Sequence, residues 1–208
     1  ALVLTSCQNL PSGAAAPTSP PSPTPTAVPP AVLLEELVTL DRPDSFVNTL
    51  AFSPDGRTLY TGDLNGEILS WASDTWTHTV LLPARSTRAA DMAANIAYWG
   101  TLALSPDGDQ LVTAFGNQGE VTALDQNGSP QYGFSFGVRA YCVEISPDGR
   151  YLAVAGLQDD VLLFDPSTGQ PEARLTNGRG NVISLAFSPD SRTLLASYRE
   201  PEKVWVLW

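Results

Sequence analysis

One tetrapeptide recurs along this chain and limits what it can fold into. Ser53-Pro54-Asp55-Gly56, Ser105-Pro106-Asp107-Gly108 and Ser146-Pro147-Asp148-Gly149 are matched by a near copy, Ser188-Pro189-Asp190-Ser191. An apolar run precedes each copy and two more follow it. Successive motif serines lie 52, 41 and 42 residues apart, from 53 to 105, 105 to 146 and 146 to 188. The motif is a turn. Proline sets φ near −65° at its second position, and the Ser and Asp side chains bond neighbouring backbone N–H groups. Glycine then takes a positive φ that would cost a residue with a Cβ roughly 1–2 kcal/mol. A metal-binding ring of the four aspartates is the competing reading. Turn chemistry is expected instead, because each Asp falls in a different repeat.

Each repeat parses into four strands. Innermost are Leu50-Ala51-Phe52, Leu102-Ala103-Leu104, Val143-Glu144-Ile145 and Leu185-Ala186-Phe187, where large residues alternate with a small one at the period of a strand. Glu144 breaks the pattern, and the sequence names no partner for it. Second strands are expected at 58–61, 110–114, 151–155 and 193–197, and third strands at 67–71, 120–124, 160–164 and 203–208. Outer strands are expected at 33–40, 77–82, 130–134 and 172–175. A period near 41 suits the four-stranded blade of a β-propeller, and the longer first interval reads as a loop insertion. The expected fold is all-β, a propeller with four visible four-stranded blades.

The run from Ser146 to Asp165 resembles a WD-repeat (WD40) blade. Phe164-Asp165 stands at the place of that family's Trp-Asp pair, and Trp71 and Trp205 fall at its Trp position. The resemblance covers residues 33–208 and departs from the family in two ways. No Gly-His dipeptide precedes any inner strand, and Asn65 and Gln118 replace the usual Asp of the turn before the third strand. It therefore implies blades without the family's His–Ser–Asp–Trp hydrogen-bond tetrad, held by apolar packing. A bacterial WD-like propeller and a lactonase-like propeller both fit these residues. The family usually has seven blades, about 290 residues at this period, so the chain is expected to be part of a larger propeller.

The N-terminal stretch has a different character. Leu4-Thr5-Ser6-Cys7 resembles the lipobox of bacterial lipoproteins, in which the Cys is acylated, so residues 1–7 read as the end of a lipoprotein signal peptide. Residues 8–30 carry eight prolines among Ser, Thr and Ala, which forbids helix and sheet. As an extended tether at about 3.1 Å per residue, they reach on the order of 70 Å. The propeller is expected over 31–208. These parts together predict an extracytoplasmic protein, lipid-anchored through Cys7 to a bacterial membrane. Cys142 lies in a strand pattern, where a free Cys acts as a small apolar group.

Charge and composition narrow the function. The net charge of −11 and pI near 4.3 argue against binding a nucleic-acid backbone. One histidine, His78 in an expected outer strand, leaves no nucleophile–base pairing. The reading is a non-catalytic scaffold that binds protein partners or ligands, with no cofactor and no metal. The alternative is an enzyme-like, lactonase-like propeller, or the propeller part of a larger peptidase or sensor. Partner contacts are expected on the face opposite the Ser-Pro-Asp turns, in the loops that do not repeat. There Arg88, Arg139 and Arg179 precede inner strands and would suit a carboxylate or phosphate.

Overall fold

The apolar runs on either side of each Ser-Pro-Asp turn hydrogen-bond into antiparallel sheets in chain order. The structure is a computed structural model that describes residues 36, 38–40, 46–84, 101–176, 180–201 and 205–208. The first blade holds β1 (Val47–Phe52), β2 (Thr58–Asp63), β3 (Ile68–Ala72) and β4 (His78–Leu82). The second holds β5 (Thr101–Leu104), β6 (Gln110–Phe115), β7 (Glu120–Asp125) and β8 (Pro130–Ser135). The third holds β9 (Ala140–Ile145), β10 (Leu152–Gly156), β11 (Gln158–Phe164) and β12 (Pro171–Thr176). The fourth holds β13 (Gly180–Phe187), β14 (Leu194–Pro201) and β15 (Trp205–Leu207). Among the described residues this last sheet has three strands, not the expected four. Glu36 and Val38–Leu40 lie in no strand, and the rest of the outer strand expected at 33–40 falls outside the described residues.

Period-2 alternation explains how the blades stack, because each strand sends alternate side chains to opposite neighbours. On β6, Leu111 joins Tyr60, Ile68, Leu102 and Leu124 between blades 1 and 2, while Val112 and Ala114 turn toward blade 3. On β10, Leu152 and Val154 meet blade 2, and Ala153 and Ala155 meet Val182, Leu185 and Leu194 of blade 4. A strand buried on both faces must be apolar throughout, and all of Leu152–Gly156 is buried. Inner strands meet in series, β1 with β5, β5 with β9 and β9 with β13. Thr49 and Thr101 side chains accept the Leu102 and Val143 amides across two of these junctions, at 3.3 and 3.4 Å.

The described blades form an open arc, since β13 makes no comparable contact with β1. Leu50 and Phe52 on the free face of blade 1, and Leu195, Trp205 and Leu207 on the free face of blade 4, are accordingly exposed.

Candidate functional site

The four turns share one geometry. Ser53 Oγ donates to Asp55 Oδ1 at 2.6 Å and accepts the Thr58 amide, while Asp55 Oδ1 accepts the Arg57 amide. The same Ser–Asp bond forms at Ser105–Asp107, Ser146–Asp148 and Ser188–Asp190. In each turn the Ser hydroxyl, followed by backbone amides, holds the Asp carboxyl below its ordinary range. Gly56, Gly108 and Gly149 sit at φ of 70°, 80° and 71°, and Ser191 adopts φ 59° despite its Cβ. Pro54, Pro106, Pro147 and Pro189 each occupy the second turn position.

These turns also touch one another. A Cβ on Gly108 would come within 2.9 Å of Pro54 Cδ, and one on Gly149 would meet Pro106 Cδ at 3.9 Å. At the next junction the Asp148 amide donates to Ser191 Oγ at 3.0 Å, which ties the non-glycine copy to its neighbour. The repeated motif thus both closes each hairpin and joins each blade to the next.

A cleft of about 190 Å³ opens between the first two turns, lined by Ser53, Pro54, Asp55, Thr58, Tyr60, Asp107, Gly108 and Gln126. Tyr60 is 4% exposed, and among the described residues its hydroxyl has no hydrogen-bond partner. Burial, and then the Asp55 charge, raise its pKa. Gln126 Nε2 donates to Asp109 Oδ1 at 2.5 Å on the same side.

The opposite face carries the loops that do not repeat. Arg139 there donates to Asn117 Oδ1 at 2.6 Å, and its carbonyl accepts the Leu157 amide, so it links the second and third blades. Arg88 and Arg179 lie outside the described residues, as does Cys7. Asp160, at the start of β11, is buried and held by the exposed Arg174 guanidinium. Its carboxyl stays below the ordinary range because the Thr176 and Arg174 hydrogen bonds outweigh the opposing effect of burial. Sequence reasoning missed this pair, since one Asp and one Arg on neighbouring strands carry no signal until the register places them near each other.

Trp71 Nε1 donates to the buried Thr61 Oγ1 at 3.0 Å, and Asp63 accepts the Asn65 and Glu67 amides in the turn that follows. The Trp–hydroxyl part of the hydrogen-bond tetrad therefore persists in the first blade, against the expectation from the missing Gly-His pair. Asp63 supplies, from two residues earlier, the acid that position 65 lacks. His78 lies on the outer strand β4 with its ring 4.5 Å from that of Trp71. Cys142 is buried, its Sγ 3.7 Å from the Ala155 carbonyl, and burial pushes its thiol up to about 12. Among the described residues no group of three His, Cys, Asp or Glu side chains is arranged to hold a metal ion.

Comparison with known proteins places this architecture. Residues 34–71, running through β1 and β2 to Trp71, match the family described as WD domain, G-beta repeat. WD repeat-containing protein 1 of Gallus gallus is 35% identical over 68 residues, 31% of this chain and 11% of that protein. Its Bos taurus counterpart is 30% identical over 99 residues, 41% of this chain and 16% of that protein. Cilia- and flagella-associated protein 52 of Mus musculus is 26% identical over 137 residues, 62% of this chain and 22% of that protein. The chain thus spans between 11% and 22% of the length of these relatives. Among solved structures, Kuenenia stuttgartiensis hydrazine synthase superposes with a TM-score of 0.62 at 20% identity, over 81% of this chain and 46% of that one. That likeness is one of fold. The stacked antiparallel blades and the likeness to a solved propeller make the described residues part of a β-propeller, and residues 34–71, with the Trp71–Thr61 bond at their end, are similar to a WD repeat.

Proposed function

We propose that the chain is a non-catalytic, protein-binding propeller displayed on a bacterial cell envelope by a lipid on Cys7 and a Pro-rich tether over 8–30. The observation that carries the scaffold reading is the use of the recurrent acidic residues. Each motif Asp is bonded to its own Ser and to a backbone amide, so the repeated chemistry serves the turns. Binding specificity then belongs to residues that differ between blades. WD-repeat propellers are commonly protein-interaction scaffolds, and the many short loops of such a fold offer separate contacts around one rim. Arg139, braced by Asn117 on the non-repeating face, supports a role in contacting an acidic partner group together with Arg88 and Arg179.

The anchor is argued from the lipobox-like residues. One acyl chain adds about 0.8 kcal/mol per buried methylene and anchors only marginally, whereas several chains on one Cys hold a protein to the bilayer. Expression of the full gene in a bacterial host with radiolabelled palmitate tests it. The protein should carry label and sediment with membranes, and Cys7→Ala should abolish both. Label retained in the Cys7→Ala variant rejects the anchor. Turnover of a lactone by the purified protein, with a tightly bound divalent metal, rejects the non-catalytic role.

A further inference from the structure

Two departures from the repeat meet at one place. The position after the turn holds Arg57, Arg150 and Arg192 in three repeats but Asp109 in the second. Three residues after Arg57 stands Tyr60, where the other repeats hold Val112, Ala153 and Leu195. The junction of blades 1 and 2 therefore lacks the second blade's arginine and gains an acid and a phenol. Tyr60 lines the cleft between the turns that carry Asp55 and Asp107, and Asp109 accepts from Gln126, another residue of its lining.

The lining of that cleft is suited to donors. Asp55 and Asp107 each use Oδ1 within their own turn, which leaves both Oδ2 atoms without a bond inside it. Tyr60 brings a hydroxyl with no partner among the described residues from a ring that is otherwise packed into the core with Ile68, Leu102, Leu111 and Leu124. That hydroxyl opens into the cleft and is not sealed in the core, so a ligand's donor can reach it in place of water. Gly108 matters as well. It lets the Pro54 ring approach within the distance a Cβ would occupy, and so shapes the cleft wall. Arg57 Nε lies 3.9 Å from Asp55 Oδ2 with both side chains largely exposed, a loose pair, and Arg57 does not line the cleft.

We propose that this cleft is a binding site for one basic side chain, a guanidinium or alkylammonium group, presented by a partner protein. The volume of about 190 Å³ accommodates one such group, and every charged group lining the cleft is an acid. The chain's charge of −11 draws basic partners toward it. The partner-protein source rests on the scaffold reading, whereas the cleft's affinity for a cation does not.

The test is an NMR titration of the full chain, followed at the Gly108 amide, with the peptide acetyl-Gly-Arg-Gly-amide. Saturable shifts are expected, with binding weakened at least tenfold when citrulline, the neutral isostere, replaces arginine. Asp107→Asn, which retains an oxygen for Ser105 and the Asp109 amide, should weaken binding about tenfold. Tyr60→Phe, which removes only the hydroxyl, should weaken it about threefold. Thermal melts confirm that both variants fold. Equal affinity for the citrulline peptide, or unchanged affinity in both variants, overturns the site. Propylammonium binding as tightly as the peptide overturns the partner-protein source in favour of a free amine. None of these outcomes depends on the lipid anchor or on the arginines of the other face.

Discussion

Glu144 shows how a single side chain is constrained by the stacking of blades. It stands on β9, where the equivalent residues of the other inner strands are Ala51, Ala103 and Ala186. Strand alternation places it on the face that Cys142 shares, toward the core formed with blade 4. Burial raises its carboxyl above the ordinary range. An acid whose pKa is raised in the folded state supports stability below its unfolded value and loses that support as pH rises through the folded value. Glu144→Gln should therefore stabilise the protein at pH 7, by roughly 1 kcal/mol, the scale of a partly buried charge removed. The gain should vanish below about pH 4, where wild type is protonated in both states. Urea melts of both proteins between pH 3 and 8 check this, and a gain that persists at pH 3 would show that ionisation is not its cause. Cys142 two residues away, with its thiol pushed up to about 12, stays neutral across that range.

At the scale of the element, the Ser-Pro-Asp-Gly turn carries two loads that can be separated. Gly56 and Gly108 share a positive φ, but a Cβ at Gly56 meets nothing within 4 Å, whereas one at Gly108 meets Pro54 at 2.9 Å. Gly56→Ala should cost the backbone strain alone, about 1 kcal/mol. Gly108→Ala should cost more, about 2–3 kcal/mol, because it also forces the first two blades apart where they meet. Equal costs in chemical denaturation would mean that the turn-to-turn contact contributes nothing. The turns and strands were legible in the sequence because alternation and turn residues are local signals. Of the expected inner strands, 50–52, 102–104, 143–145 and 185–187 all lie within β1, β5, β9 and β13, which extend further toward the N-terminal side. What the sequence did not disclose depends on register and neighbours. The contact of Gly108 with Pro54, the pairing of Asp160 with Arg174 and the bond from Trp71 to Thr61 each join residues whose meeting is set by the assembled sheets. Tyr60 and Asp109 depart from the repeat in the sequence, but only the stacked blades show that Tyr60 lines a cleft whose Gln126 is held by Asp109.

The whole molecule differs from its own interior at two faces. Leu102 and Leu50 occupy the same position in successive inner strands, yet Leu102 is 7% exposed between two blades and Leu50 is 64% exposed at the free face of the first. The free face of blade 4 repeats the situation with Leu195, Trp205 and Leu207. Burial of a leucine side chain contributes roughly 1.5–3 kcal/mol, so equivalent positions must differ in what truncation removes. Leu102→Ala should cost about 2–4 kcal/mol, the loss of buried methyl groups together with the cavity left between blades. Leu50→Ala in the same 208-residue chain should cost well under about 1 kcal/mol, since little contact is lost. The comparison reports on whatever covers this face. If Leu50→Ala destabilises as strongly as Leu102→Ala, and the cost grows with protein concentration, a second copy is packed against blade 1. If the cost is small at every concentration, the face is open in this chain, and its apolar surface is available to further strands of the kind that cover Leu102. Denaturation midpoints of the two variants, measured across a hundredfold range of concentration, distinguish these states. The open arc seen in the fold predicts the second result.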